Sequence, residues 1–371
     1  MSFEAEDRHR IDSHKLHLHP QRVAAWQEAG SDWEKQKKIY PLYVEISPSG
    51  NCNHRCVFCA VDYIGYKPLF LDKEKLKLSL TDMGKNGVKS VMYAGEGEPL
   101  LMKGIGEVIN HTKSSGIDVG ITTNCTPLTE KLVQECLHSI SWIKVSMNAG
   151  SAETYGKVHR TRPADFERAL NNLAYADRFR KENNINCTLG AQMVLIPENM
   201  HEASLLCERA KAAGLDYVVI KPYSQHLKST ETMAKGYDKF DYASQFALAE
   251  DLKRYNSKTF NVIFRMNTMR SLAQPTRYYS KCNATPNFWG YVMANGDVYG
   301  CSAYLLDENF RYGNINENPF SEIWEGDRRR KHAEFVREKL NIDECRINCR
   351  MEHINRYLWD VSNPDEHVNF I

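Results

Sequence analysis

The chain carries almost no net charge, no long apolar run and no detectable long repeat. Its 48 Lys and Arg are matched by 47 Asp and Glu, which leaves a formal net charge of +1. A mainly electrostatic grip on nucleic acid or an anionic membrane needs a basic excess that is missing here. No apolar stretch reaches the roughly 20 residues that span a bilayer. The opening MSFEAEDRHRIDSHK has no signal-like apolar core. These absences predict a cytoplasmic protein with neither nucleic-acid nor membrane partners. Thiols stay reduced in that compartment, so the 11 cysteines are metal ligands or core residues rather than disulfides. Seven of them fall into two groups with ligand-like spacing. Zinc sites more often show paired C-x2-C knuckles than the spacings of these two groups.

What is present first is an alternation of short β-branched runs with amphipathic stretches. Residues 1–41 form a polar extension with one helix from Pro20 to Lys38. Its His9, His14, His17 and His19 match no metal spacing and are expected in solvent. From 42 to 236 the pattern predicts strands at Tyr43–Ser47, Ser90–Ala94, Asp118–Thr122, Trp142–Met147, Thr188–Leu195 and Tyr217–Lys221. Helices are expected between them, at Lys73–Asn86, Gly104–Gly116, Thr129–Leu137, Ala164–Asn183 and Glu202–Gly214. Six βα units make an α/β fold, a partial (β/α)6 barrel of the TIM type, open on one side, with its chemistry at the C-terminal ends of the strands. From 237 to 371 the pattern changes to a smaller α+β domain. It has a helix over Tyr237–Lys253, a strand at Asn261–Arg265 and a helix over Phe320–Leu340. Asn295-Gly296 between two β runs predicts a hairpin with a type I′ turn.

Cys52, Cys56 and Cys59 stand at C-x3-C-x2-C, directly after the first strand. Thiolates are the usual protein ligands of iron–sulfur clusters. Three of them on one tight loop leave one iron of a four-iron cube open to a small chelating molecule. With Phe58 before the third cysteine, the loop resembles the radical S-adenosylmethionine (SAM) superfamily. The resemblance implies that the open iron takes the amino and carboxylate groups of SAM. Reductive cleavage then yields a 5′-deoxyadenosyl radical that removes a hydrogen atom from substrate. A zinc loop is the alternative.

Other motifs extend the resemblance. Gly95-Glu96-Gly97-Glu98-Pro99 is similar to the superfamily's Gly-Gly-Glu-Pro, which implies that Gly97, Glu98 and Pro99 hold the SAM ammonium group. By the same likeness Ser146 and Asn148 contact ribose or carboxylate, Arg160 clamps the carboxylate, and Ile196 lies against adenine. Thr122-Thr123-Asn124 resembles Thr-Asn-Gly, with Cys125 where glycine is common. Cys125 is a candidate hydrogen donor, as in some epimerases of the family, or a small core residue.

The second group is Cys282-x13-Gly296-x4-Cys301, then Cys345-x3-Cys349. Its first half, with Gly313-Asn314-Ile315 and Ser321-Glu322-Ile323-Trp324, resembles the SPASM domain. The full seven-cysteine set is absent, so the pattern is similar to the shortened twitch form, as in the butirosin-pathway aminocyclitol dehydrogenase. The resemblance implies one auxiliary [4Fe–4S] cluster on Cys282, Cys301, Cys345 and Cys349, with a four-cysteine zinc as the alternative.

A second, fully ligated cluster can take an electron from a substrate radical. Two-electron oxidation of a small polar substrate is therefore the leading expectation, with a sugar, aminocyclitol or nucleotide-sugar as the substrate. The electron donor would be of flavodoxin or ferredoxin type. Radical epimerisation or dehydration of a carbohydrate, peptide maturation, and a non-enzymatic iron–sulfur protein remain as alternatives. Candidates for acid–base work at the rim are Tyr63, Tyr93, Glu96, Gln192, Lys221, Tyr223, Gln225 and Arg265, with Lys221 and Tyr223 in the best cluster, Lys221–His226.

Overall fold

A computed structural model of the chain describes residues 7, 9–230, 245–273, 276–346 and 349–370. Among these, ten strands join one sheet in the order β10-β9-β8-β1-β2-β3-β4-β5-β6-β7. The strands are β1 (Tyr43–Ile46), β2 (Ser90–Tyr93), β3 (Asp118–Thr123), β4 (Trp142–Ser146), β5 (Thr188–Leu195), β6 (Tyr217–Pro222), β7 (Asn261–Phe264), β8 (Trp289–Val292), β9 (Asp297–Tyr299) and β10 (Arg311–Asn314). β1 to β7 are all parallel, and β8 joins β1 in parallel as well. β9 and β10 then run antiparallel. The six expected parallel strands are thus present, and the sheet stays open, with β7 and β10 as its edges. β7 and β8, expected in a separate C-terminal unit, instead extend the main sheet on either side.

Helices α1 (Pro20–Ala29) and α2 (Trp33–Gln36) precede the sheet. α3 (Lys73–Lys85), α4 (Ile105–Ser114), α5 (Glu130–Cys136), α6 (Ala152–His159), α7 (Ala164–Glu182) and α8 (Ala203–Ala212) connect β1 to β6. α9 (Phe246–Leu252), α10 (Met266–Ala273), α11 (Phe320–Glu325), α12 (Asp327–Glu338) and α13 (Glu352–Ser362) follow. The starts are set by side-chain caps: Asp72 accepts from Lys75 N at 2.9 Å and Thr129 from Leu132 N at 3.2 Å. Two expected long helices are broken at glycine. Gly30, at φ +50°, separates α1 from α2, and an extended Gly326 separates α11 from α12. The part of the Tyr237–Lys253 helix before residue 245 lies outside the described residues.

Period-2 alternation sorts the strand side chains into two faces. Val44, Ile46, Val91, Tyr93, Val119, Ile121, Ile143 and Val145 enter the main apolar core with the helices. Their neighbours Glu45, Met92, Thr122, Lys144 and Ser146 project from the opposite face, which no connecting helix covers. Part of the N-terminal extension lies there. Ile11 packs on Tyr217, Val219 and Ile263, and Asp12 pairs with Arg265 at 3.2 Å. Leu16 is buried with Val23, Phe288 and Leu358, and His14 packs against Tyr357. The expectation of a wholly solvated extension is therefore wrong, because these apolar residues close an otherwise exposed sheet face.

The β8–β9 hairpin exists, but not with a type I′ turn. Gly296 has φ +91°, whereas Asn295 is not among the residues of positive φ. Gly296 N donates to Met293 O at 2.9 Å, and Asn295 Oδ1 accepts from Asp297 N at 3.0 Å. The Asn295 side chain thus completes the turn without entering the left-handed region.

Candidate active site and cysteine loops

The first cysteine loop leaves β1 and is closed at its base by a bridge between Ser49 and Phe70. Gly50 N donates across it to Leu69 O at 2.9 Å. Cys52, Cys56 and Cys59 lie on this excursion, unpaired and partly exposed. The loop docks on the C-terminal turn of α6, where Arg55 N and Val57 N donate to His159 O and Val158 O, each at 3.0 Å. Val57 is buried with Val158, Val194, Ile196 and Tyr223. Cys56 Sγ lies 3.1 Å from His159 Nδ1. Burial raises all three thiols, Cys52 to about 12, and Cys56 is raised further by its two neighbours. Thiols held this way ionise when a metal replaces their protons, so the donor set fits an iron cluster.

The βα turn after β2 approaches this loop closely because of two glycines. A Cβ on Gly95 would stand 2.2 Å from Ser47 Oγ, and one on Gly97 2.1 Å from Asn51 O. Glu98 is buried and accepts from Leu100 N, Thr123 Oγ1 and Asn124 N at 3.1, 2.5 and 2.7 Å. Its carboxylate therefore ties β2 to the end of β3, and Oε2 retains one acceptor position for a ligand. Glu96 is also buried, and its Oε1 accepts from Ala294 N in the hairpin at 2.9 Å. Burial pushes both carboxyls up to about 7.

The remaining expected SAM contacts separate. Ser146 ends β4 on the open face, level with Gln192. Arg160 caps α6 at φ +46° and is exposed. Ile196 packs against the cysteine loop. Asn148 is fully buried, with Oδ1 accepting from Val194 N at 2.6 Å and its carbonyl accepting from Asn199 Nδ2 at 3.0 Å. It joins β4 to β5 rather than presenting its amide to a ribose. Cys125 is likewise fully buried in the main core, with φ +68° and its thiol facing Ala169 O. That places it away from the open face, so its role as a hydrogen donor is withdrawn in favour of the core reading. Tyr93 points into the same core and donates to or accepts from Thr112 Oγ1 at 2.6 Å.

The second cysteine group assembles around the hairpin. Cys282 precedes β8, Cys301 follows β9, and Cys345 and Cys349 return from beyond α12. Each of Cys301, Cys345 and Cys349 lies within electrostatic reach of the others or of Cys282. Donors surround the sulfurs: Asn355 Nδ2 on Cys282, Tyr304 Oη on Cys345 and Met351 N on Cys349, all at 3.4 Å. Such second-layer donors are what a thiolate-bound centre needs. Among the described residues no three His, Cys, Asp or Glu converge tightly enough for a single ion, and a four-iron cube is held by more widely spread thiolates.

Tyr63 packs against the same apolar cluster as Cys301 and Cys349 of the second group. It stands on the first loop, four residues after Cys59, and its hydroxyl is within electrostatic reach of Cys301 and Glu96. That hydroxyl is buried without a hydrogen-bond partner among the described residues. The ring stacks on His226 at 5.2 Å. Tyr223 Oη donates to Gln225 Oε1. Lys144, on the open face beside Ser146, and Arg346, between the last two cysteines, were not singled out in the sequence. A lysine inside a strand gives no signal until the sheet shows which face it takes.

Comparison with known proteins accords with this geometry. The radical SAM superfamily model matches residues 46–210, and SPASM, an iron–sulfur cluster-binding domain, matches residues 282–350. The second match begins at Cys282 and ends just past Cys349. The chain carries a radical SAM domain and a SPASM-type domain. Its cofactors are SAM, the [4Fe–4S] cluster that binds SAM, and an auxiliary iron–sulfur cluster. It is 25% identical over 324 residues to the AdoMet-dependent heme synthase of Methanosarcina barkeri, covering 83% of this chain and 87% of that one. It is 29% identical over 167 residues to the dTDP-4-amino-4,6-dideoxy-D-glucose ammonia-lyase of Streptomyces venezuelae, which spans 44% of this chain and 34% of that protein. The fold is shared with Streptococcus suis SuiB bound to precursor peptide SuiA, at TM-score 0.59, 18% identity, and 84% and 69% coverage. It is shared too with anSMEcpe bound to AdoMet and Cp18Cys peptide, at TM-score 0.56, 18% identity, and 87% and 99% coverage. No helix among the described residues is long and apolar enough to cross a membrane.

Proposed function

We propose that this radical SAM enzyme oxidises a small polar substrate, a sugar or nucleotide-sugar, by two electrons. Cys52, Cys56 and Cys59 would hold the SAM cluster, and Cys282, Cys301, Cys345 and Cys349 the auxiliary one. The backbone of Gly97 and Pro99, with Glu98, Ser146, Arg160 and Ile196, would surround SAM. When bound, these groups supply a hydrogen-abstracting radical and an electron acceptor. The observation that carries the reading is the Tyr63 hydroxyl, buried without a hydrogen-bond partner among the described residues and within electrostatic reach of Glu96 and Cys301. Tyr63 can orient a substrate hydroxyl by hydrogen bonding. Glu96, with its carboxyl near 7, can accept the proton released when that hydroxyl becomes a carbonyl. The lyase relative favours elimination as the second reading. The electron donor would be a small flavodoxin or ferredoxin.

The test uses anaerobically reconstituted protein with SAM and dithionite. Two four-iron clusters predict about eight irons per chain and formation of 5′-deoxyadenosine. Cys301→Ala should drop the count to about four while deoxyadenosine is still made. Unchanged iron in that variant would remove the auxiliary ligand set. A substrate that gains a carbonyl without losing ammonia or water decides for oxidation.

A further inference from the structure

The open face of the sheet holds more positive charge than its carboxylates offset. Strand register puts Lys144 one step below Ser146 and Lys221 level with Val194, one step above Gln192. Both therefore project from the face opposite the helices. Arg265 follows β7, and Arg346 and Arg350 reach the same space from beside the last two cysteines. Lys221 lies within electrostatic reach of Lys144, Arg265, Arg346 and Arg350. Two carboxylates answer these five cations. Glu45 pairs with Arg350, and Asp12 pairs with Arg265. Arg346 donates to Ser224 Oγ at 2.9 Å and lies beside Cys349, where a thiolate-bound cluster would offset it.

Lys144 and Lys221 are left over. Neither forms an ion pair with a carboxylate among the described residues; Lys144 Nζ lies over the Trp142 ring, 5.7 Å from its centroid, with Glu45 within electrostatic reach. Both sit deep in the protein yet keep part of their side-chain surface open, as groups lining an internal space do. A cavity of 690 Å³ reaches Arg265 and Arg350 of this group, with neither Lys144 nor Lys221 in its lining. Burial disfavours both ammonium groups and the like charges nearby disfavour them further, so both lysines hold their protons less tightly than usual. A bound anion would offset both effects.

We propose that Lys144 and Lys221 form the anion-holding end of the substrate site and seat a phosphate or carboxylate group of the substrate. This rests on the radical reading of the same site and sharpens it. A cationic aminocyclitol would be repelled, and a phosphorylated sugar, a nucleotide-sugar or a sugar acid would be held. Strand register sets Lys144 and Lys221 on the same face of the sheet as Ser146 and Gln192.

The test is equilibrium dialysis of the reconstituted protein with SAM present, using pyrophosphate and malonate as probes. Saturable, salt-sensitive binding of at least one probe is expected, weakened at least about tenfold by Lys144→Gln and by Lys221→Gln. Lys157→Gln, at an exposed lysine on α6, should bind like the parent. Tighter pyrophosphate points to a phosphorylated substrate and tighter malonate to a carboxylate. No saturable binding of either, or equal binding by the double Lys144→Gln, Lys221→Gln variant, overturns the proposal. Deoxyadenosine formation by the parent is measured in parallel. Anion binding without deoxyadenosine breaks the radical reading alone, and deoxyadenosine without anion binding breaks the anion site alone.

Discussion

Glu96→Gln should stabilise the folded protein, and more so as the pH rises. Glu96 is only 6% exposed, and its carboxyl accepts from Ala294 N and interacts with the Ser47 hydroxyl. Glutamine keeps an oxygen for Ala294 N and removes the buried charge. Burial lifts the carboxyl from its ordinary 4.5 to about 7. A carboxyl raised in the folded state binds its proton more tightly there than in the unfolded chain. The parent therefore loses stability as pH rises from about 4.5 to about 7, and the loss is complete above that. With 1.36 kcal/mol per unit, the penalty is about 2 kcal/mol at pH 6 and about 3 kcal/mol at pH 8.5. Urea denaturation of parent and variant, followed by circular dichroism under anaerobic conditions, reads this difference. A gain that does not grow with pH, or a variant less stable at pH 8.5, would refute the reasoning. Either result would mean that the carboxylate is compensated in the folded state, with Lys67 as the nearest candidate cation.

Arg329 is fully buried, donates to the carbonyls of Pro286, Trp324, Gln36 and Ile39, and stacks 4.2 Å over Trp324. Arg329→Met should cost about 3–5 kcal/mol in urea denaturation and speed proteolysis between α2 and β1. A loss below about 1 kcal/mol would deny it that role. Cys125→Ala should cost about 1–2 kcal/mol and leave product stereochemistry unchanged, and altered stereochemistry would return the thiol to the reacting centre.

The chemistry-bearing residues were legible because they lie close together in sequence. Three cysteines within eight positions, a Gly-Glu-Pro turn and a hairpin glycine between two cysteines each describe a local shape. The six parallel strands were legible for the same reason, since each is a short apolar run between helical periods. Where sequence reasoning failed, the missing fact was long-range. Asn148 and Cys125 look like rim residues at strand ends, but positive φ turns each side chain into the structure, where Val194 N and Ala169 O receive it. The histidine-rich extension looks solvated until Ile11 and Leu16 are seen packed on the protein.

The sequence by itself determined the cysteine spacings, the glycine-rich turn after the second strand and the parallel βα order. Those depend on spacing along one segment and on periodicity, which the chain carries whatever its neighbours do. Only the tertiary structure decided which side chains share the open face. Lys144, Lys221, Arg265, Arg346 and Arg350 are up to about 200 positions apart, and their mutual repulsion exists only once strand register and the return of the last cysteine segment bring them together. The same holds for Glu96 and Ala294, joined by a hydrogen bond across 198 residues. Register is a property of pairs of strands, so no single segment can encode it alone.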